Sequence, residues 1–468
     1  MIKMPEISYT KKLLNIDWTK TPYILILIAS FLLSRIPFLN LGFGFDPDAW
    51  RIAGSAFDLS YFHVYHPSRF PGYPLPEYFN SLIIHYGWLA TNTATMILSL
   101  ISVIVFAKIL NELNVKNKGL LVITYAFLPI LWINSTITMD YMWALTFILI
   151  AWFFIIRKHY VLAGLMMGFA IGSRITSSLL ILPFIYLILI ENKEIKKIIY
   201  FFITTCITSL ILFLPLYLQY GLNFVSYYPT QTNIFLVWND LTYYFGILGL
   251  LFGVILFILS FKKLFENIIK RDKMTIFLLF SISLVVLLYI GAPYEMSYLI
   301  PAIPFGLLLL NKISNRKLFG ILCVFLLLNS FVYVGFSSNF SPIIGKGAVI
   351  IDAGMRAQLL DEIDEVTSNI NNSIIISAEY FPIMCYVYEK SQKTPQTIGF
   401  GKHDYDMRWN YGKNVGYIYL AHLNEIEHWQ KKGYKIYYMG DNAVDLTKLN
   451  YNFNLNAHNC SNAFSTLN

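Results

Sequence analysis

The residues best equipped for chemistry lie between Leu39 and Phe79, where Asp46, Asp48, Arg51, Asp58, His63, His66, Arg69 and Glu77 stand among Trp, Tyr, Phe and Pro. Carboxylates in such a stretch can take a proton from a hydroxyl, and guanidinium groups can hold an anion through charge-assisted hydrogen bonds. A plain linker needs neither. Asp46-Pro47 has the signature of a helix start, because Asp is a favoured N-cap and proline at the first helical position gives up only a donor that had no partner. Asp48 then falls in the first turn. Capping explains Asp46 as well as function does, whereas Asp48 gains only ~0.3–1 kcal/mol from the helix dipole and is the stronger candidate for proton transfer. His63 and His66 are three residues apart, but without a third ligand their spacing points to a loop feature rather than a metal site.

Four more charged residues stand at the ends of apolar runs. Arg35 lies late in the first run, Asp140 opens the fourth, Arg174 sits in a tight turn between the fifth and sixth, and Glu295 precedes the tenth. A charge inside a bilayer costs several kcal/mol unless it lines a polar cavity. Blander roles exist for three of them: Arg35 can snorkel to the interface, Asp140 can cap its helix, and Glu295 can pair with a nearby cation. Arg174 resists such a reading, since an outer turn is the wrong side for a topological cation. Together they are expected on the outer face beside the Asp46/Asp48 loop, as a site for an anionic group and for a group that must lose a proton.

The elements that position these residues follow from composition. In 468 residues, 56% are hydrophobic and 13% charged, which excludes a soluble multidomain protein and indicates an α-helical polytopic membrane protein. Runs able to span ~30 Å of hydrocarbon occur near 22–39, 93–110, 119–134, 139–156, 160–173, 175–190, 198–217, 242–260, 274–291, 296–311 and 317–336, about eleven in all. Their Lys and Arg cluster in alternate short loops (Lys108 to Lys118, Arg157-Lys158, Lys193 to Lys197, Lys262 to Lys273, Lys312 to Lys317), so the formal charge of +8 reflects the positive-inside rule and not nucleic-acid binding. The N-terminus is thus expected in the cytoplasm, in a multi-pass protein of the cell membrane, with the loop at about 40–92 and the C-terminal tail outside. No signal-peptide cleavage pattern follows the first run. Tyr78 to Ala90 is amphipathic and interrupted by His85 and Gly87, and is expected to form an interfacial helix.

From about 337 the composition changes, dividing the chain into a transmembrane domain at 1–336 and a small extracytoplasmic α/β domain at 337–468. Ile350-Ile351, Ile374 to Ser377, Val415 to Leu420 and Lys435 to Met439 read as strands. Met355 to Ile370 and Leu423 to Lys432 read as helices, which suggests a partly parallel sheet. Cys385 and Cys460, both in this tail, are candidates for a disulfide.

With these motifs in view, the chain resembles the GT-C superfamily of integral-membrane glycosyltransferases, and within it the protein O-mannosyltransferase and aminoarabinose transferase group. Asp48-Ala49-Trp50-Arg51-Ile52-Ala53 is similar to that group's acidic pair in the first outer loop, with Ala49 where Glu is usual and Asp46 available as the second carboxylate. SRFPGYPLPEY is similar to its basic-Pro-Pro-Leu segment through Arg69, Pro71 and Pro74. GLMMGFAIGSRITSSLLILP is similar to its glycine-rich pair of short helices, where a basic residue, here Arg174, faces the lipid phosphate. YEMSYLIPAIPFGLLLL is similar to its late Tyr-x-x-Pro-x-x-Pro helix, with Glu295 to Ser297 where a basic residue is usual. The tail lies outside the resemblance, and no Trp-Trp-Asp triplet points to the oligosaccharyltransferase branch.

The resemblance implies a polyprenyl-phosphate-linked sugar as donor, inverting transfer to a hydroxyl of a protein, lipid or glycan, and Asp48 as base with Asp46 beside it. It implies that Arg174, Arg69 and Arg35 hold the donor phosphate, and that Arg51, His66, Tyr73, Asp140, Glu295 and Tyr298 line the substrate site. No dissociable cofactor is required; if a divalent cation such as Mg or Mn takes part, Asp46 and Asp140 are its candidate ligands. A transporter or lipid-linked glycan flippase is the alternative, opposed by charges gathered at one surface and by the lack of evident paired broken helices. A scaffold or receptor would leave the outer arginines unexplained.

Overall fold

The computed structural model describes residues 16–192, 194–225, 234–336, 342–377, 380–392, 407–419, 421, 423–439 and 464–466. Its helices are α1 (Tyr23–Arg35), α2 (Pro47–Phe62), α3 (Pro74–Ser81), α4 (Trp88–Glu112), α5 (Lys118–Phe127), α6 (Pro129–Asn134), α7 (Tyr141–Ile156), α8 (Tyr160–Ser173), α9 (Ile181–Asn192), α10 (Ile195–Tyr220), α11 (Ile234–Phe245), α12 (Ile247–Ile269), α13 (Lys273–Gly291), α14 (Ile303–Ile313) and α15 (Arg316–Leu328). After them come the antiparallel strands β1 (Val332–Phe336) and β2 (Pro342–Lys346), then α16 (Ala348–Asn369), β3 (Ser373–Ile376), α17 (Phe381–Gln392), β4 (Arg408–Asn410), β5 (Val415–Ile418), α18 (Leu423–Lys431), β6 (Lys435–Met439) and β7 (Phe464–Thr466). Ten of the eleven expected spans coincide with helix, α or 3₁₀, over most of their length, and the eleventh does so as far as Leu328. Five segments among the described residues, Trp88–Glu112, Ile195–Val225, Ile247–Ile269, Lys273–Gly291 and Met296–Ile313, are by themselves long and apolar enough to cross a membrane.

Packing divides the chain into two compact units. The first holds residues 1–40, 73–76 and 92–353. Its tightest helix pairing uses a glycine stripe: Gly164, Gly168 and Gly172 recur every four residues on one face of α8, and there α10 approaches so closely that an added Cβ would collide with Thr204, Thr208 and Leu212 in turn. Between apolar helices, such small residues allow the van der Waals contact that replaces the hydrophobic effect in lipid. Helix breaks fall where the sequence carries its charges. Residues 175–180, just after Arg174, form a 3₁₀ turn before α9, and residues 296–302, just after Glu295, form another before α14. The sequence marks the turn at Arg174 and the start of a run after Glu295, but not that each run opens with a 3₁₀ segment.

The second unit holds residues 41–72, 77–91 and 354–468. Its five-stranded sheet has the order β4-β5-β3-β6-β7, with β3 parallel to both β5 and β6 and antiparallel strands at the edges. Ile374, Ile376, Ile418, Ile426 and Ile436 fill one face, sealed by Trp409 and Trp429. On the other side α17 packs against α2, and Tyr386 of α17 meets Phe43 and Trp50 edge-on, while Trp88 completes the cluster. This aromatic packing sets the unit boundaries apart from the composition change at 337, because most of the first loop folds with the tail.

Three local expectations give way. Ile350 and Ile351 lie in α16, not a strand; the neighbouring Ala348 and Val349 are buried against Trp132 and Ile133, which accounts for the apolar run. Tyr78 to Ala90 is not one interfacial helix: Gly87, at φ +76°, separates a 3₁₀ turn at residues 84–86 from α4. The eleventh span stops at Leu328, and the apolar residues beyond it are strand β1. Cys385 is buried in α17, and its suggested partner Cys460 lies outside the described residues.

Candidate active site

In the second unit the site is built on α2. Asp46 is its N-cap, accepting the Asp48 N–H at 2.8 Å, and Pro47 stands at the first helical position as the sequence predicts. From there Asp48, Arg51, Ser55 and Asp58 recur at steps of three, four and three, which places them on one face of the helix. The loop from His66 to Arg69 runs back along this face in the opposite direction. Arg69 pairs with one oxygen of Asp48, Arg51 holds the other at 2.6 Å, the Ser55 hydroxyl donates to the His66 carbonyl, and His66 Nδ1 lies 3.1 Å from the buried Asp58. Buried Glu77 fixes the loop from behind, accepting the Tyr65 hydroxyl and, at 2.8 Å, the Ser68 N–H. Gly72, at φ +90°, closes the turn by donating to the Arg69 carbonyl.

Asp48 thus sits between two guanidinium groups with 17% of its side chain exposed. Burial pushes its carboxyl pKa up, but the charges of Arg69 and Arg51 outweigh that and hold it below the ordinary carboxylate value. It is therefore ionised at neutral pH. Arg69, expected on the donor phosphate, pairs with this carboxylate. Arg51 does the same, and His63 ends α2 in the left-handed conformation.

In the first unit a separate cluster forms at three helix junctions. Asp140 precedes α7, Arg174 follows α8 in an extended conformation (φ −152°, ψ 118°), and Glu295 precedes the 3₁₀ turn leading to α14. Arg174 Nη1 lies 2.5 Å from Asp140 Oδ2, and Asp140 is completely buried. The guanidinium faces the rings of Tyr141, Tyr298 and Tyr73 at 4.1, 4.9 and 5.6 Å, within cation–π range. The Tyr141 hydroxyl donates to Glu295. Five residues proposed from sequence, Arg174, Asp140, Glu295, Tyr298 and Tyr73, meet here. Asp140 makes no side-chain cap bond, so its carboxylate is given to Arg174 and not to its own helix. Tyr141 was missed, although it directly follows the one acidic residue that opens a span.

Arg35 does not join either cluster. Its fully buried guanidinium lies over Phe31, Phe127 and Trp132 at 4.1, 4.9 and 4.2 Å and donates to the Ala126 carbonyl and the Ser34 and Ser135 hydroxyls. Of the carboxylates suggested for a divalent cation, Asp140 is paired with the Arg174 guanidinium, and Asp46 uses one oxygen as a helix cap.

No protein-family model and no curated protein matches the chain. Among solved structures it is similar to ArnT from Cupriavidus metallidurans bound to undecaprenyl phosphate, with a TM-score of 0.54 and 10% identity over 95% of this chain and 97% of that one. It is also similar to the apo state of the same protein, with a TM-score of 0.47 and 13% identity over 78% and 68% of the respective chains. The undecaprenyl phosphate-bound likeness shows that this chain has an ArnT-like fold, as the motifs led us to expect.

Proposed function

We propose, starting from an ArnT-like fold, that this protein is a glycosyltransferase that moves a sugar from a polyprenyl-phosphate donor to an acceptor hydroxyl on the outer face of the membrane. The observation that carries this reading is the Arg174 cluster: one deeply buried cation, set at the junctions of three helices and ringed by tyrosines, in a fold whose solved relative binds undecaprenyl phosphate. Asp140 keeps Arg174 neutralised before the donor arrives. A phosphodiester oxygen then meets the guanidinium, and the hydroxyls of Tyr73 and Tyr298 stand among the groups able to orient the headgroup.

In the transfer step the acceptor oxygen attacks the anomeric carbon from the side opposite the phosphate, the bond from that carbon to the phosphate oxygen breaks, and the polyprenyl phosphate leaves with the electron pair. Configuration inverts. Arg174 stabilises the negative charge that grows on the leaving phosphate, and Asp48 takes the acceptor proton. Two guanidinium groups make Asp48 a weak base, which suits a reaction in which bond breaking leads and the hydroxyl becomes acidic only late. A phosphate leaving group needs no strong acid to protonate it.

The test is direct. Purified full-length chain in detergent, supplied with radiolabelled undecaprenyl-phosphate-linked sugars and a membrane extract as acceptor, is expected to release undecaprenyl phosphate as label passes to product. The two 3₁₀ breaks ahead of α9 and α14 favour one second reading, a lipid-linked glycan flippase. Intact donor in this assay, together with movement of the lipid-linked sugar across reconstituted vesicles, would replace the transferase reading with that one.

A further inference from the structure

The second unit contains a cavity of about 370 Å³ that no step above uses. It lies between Trp50 of α2, Trp88 at the start of α4, Tyr386 of α17, and Ile363, Asp364 and Thr367 of α16. Its size falls at the lower end of the ~300–1,000 Å³ range of small-ligand sites, enough for a mono- or disaccharide and too little for a folded segment of protein. Its walls are unlike one another. Three aromatic side chains with Leu360, Ile363 and Val387 supply apolar surface, while Asp364 and Thr367, one helical turn apart on α16, supply a carboxylate and a hydroxyl at one side.

A ligand that matches must carry an apolar face and a row of hydroxyls. The polarised C–H face of a pyranose ring suits the part-exposed Trp88, behind which Trp50 and Tyr386 are almost wholly buried, and a carboxylate accepts well from neighbouring sugar hydroxyls. A bare cation matches less well: Trp50 and Tyr386 meet Phe43 and each other edge-on and are almost wholly buried, so the rings do not form an open cage. An acyl chain would make no use of the Asp364 carboxylate and the Thr367 hydroxyl. We infer that this cavity is a binding subsite for a neutral saccharide, built by the first outer loop and the C-terminal region together. The inference rests on the cavity alone and stands whether or not the chain transfers sugar.

The full-length chain in detergent is applied to an array of neutral mono- and disaccharides (mannosyl, glucosyl, galactosyl and N-acetylglucosaminyl), and the retained sugar is then titrated by calorimetry. At least one sugar is expected to bind, with affinity reduced about tenfold or more in Asp364→Asn, as loss of a charge-assisted hydrogen bond implies. Asp364 is exposed and its replacement leaves the core untouched; Trp88→Ala is expected to abolish binding, and Asp361→Asn, on the same helix outside the cavity, to leave it unchanged. Retention of no saccharide overturns the proposal. So does binding that Asp364→Asn and Trp88→Ala leave intact, or retention of amines such as choline without any sugar.

Discussion

Replacing Asp140 by Asn tests the Arg174 cluster most revealingly, because it separates what the pair does for the fold from what the cation does for a ligand. Asp140 is fully buried and 2.5 Å from a guanidinium that is itself almost enclosed. Breaking a buried pair by removing one partner costs about 3–5 kcal/mol, since the remaining charge is left uncompensated. The three tyrosine faces stay around the cation in the variant and keep it partly compensated, so the lower end of the range applies. In a thermal scan of the detergent-solubilised protein this corresponds to a midpoint lowered by roughly 3–5 °C. An anion bound at Arg174 would take the place of the lost carboxylate. Undecaprenyl phosphate at one hundred times its Kd contributes about 2.7 kcal/mol, and it should raise the Asp140→Asn midpoint more than that of the wild type. The double variant Asp140→Asn, Arg174→Met should regain stability and lose the ligand response. An Asp140→Asn midpoint equal to that of the wild type, or a lipid phosphate response no greater than in the wild type, would refute the reasoning.

The remaining predictions concern the supports of the two clusters. Arg69→Gln removes one of the two charges that hold the Asp48 pKa down, so the acidic limb of the pH–turnover profile should move to higher pH. In the wild type, stability from this group is present above the ordinary carboxylate value of ~3.9 and is lost as pH falls through the depressed one; a limb that Arg69→Gln does not move contradicts the assignment. Arg35→Gln should lower the thermal midpoint while leaving donor affinity unchanged, because its contacts are aromatic rings, a carbonyl and hydroxyls of the surrounding helices; weakened donor binding in a folded variant would return Arg35 to the phosphate. Gly168→Leu should abolish accumulation of folded protein, since a Cβ at this position already meets the Thr208 side chain, and near-normal yield would show that α8 and α10 can separate freely.

Much of this was readable in the chain. Apolar run lengths and the alternation of Lys and Arg specify helices, because lipid demands internally bonded backbone and loops carry the sorting charge. Arg174, Asp140 and Glu295 stand out for the same reason: charge at the edge of an apolar run needs a partner, and here those residues partner one another or a tyrosine. The sequence was less informative about which partner each charge takes. Arg69 lies beyond a loop from Asp48, and only the antiparallel course of residues 66–69 along α2 brings them together. The Asp48, Arg51, Ser55, Asp58 periodicity marks that polar face in the sequence. The position of Arg35 at a span end fits a phosphate ligand as well as the aromatic enclosure found around it. The break between units was hidden by composition, since packing of Phe43 and Trp50 against Tyr386 is a tertiary event with no local signature.

Turnover of a labelled undecaprenyl-phosphate-linked sugar by Asp48→Asn, measured beside its affinity for undecaprenyl phosphate, reaches the central claim most directly. Loss of the proton acceptor should reduce transfer by about 10²–10⁴-fold with lipid phosphate affinity close to that of the wild type. Transfer at the wild-type rate by this variant would contradict the account.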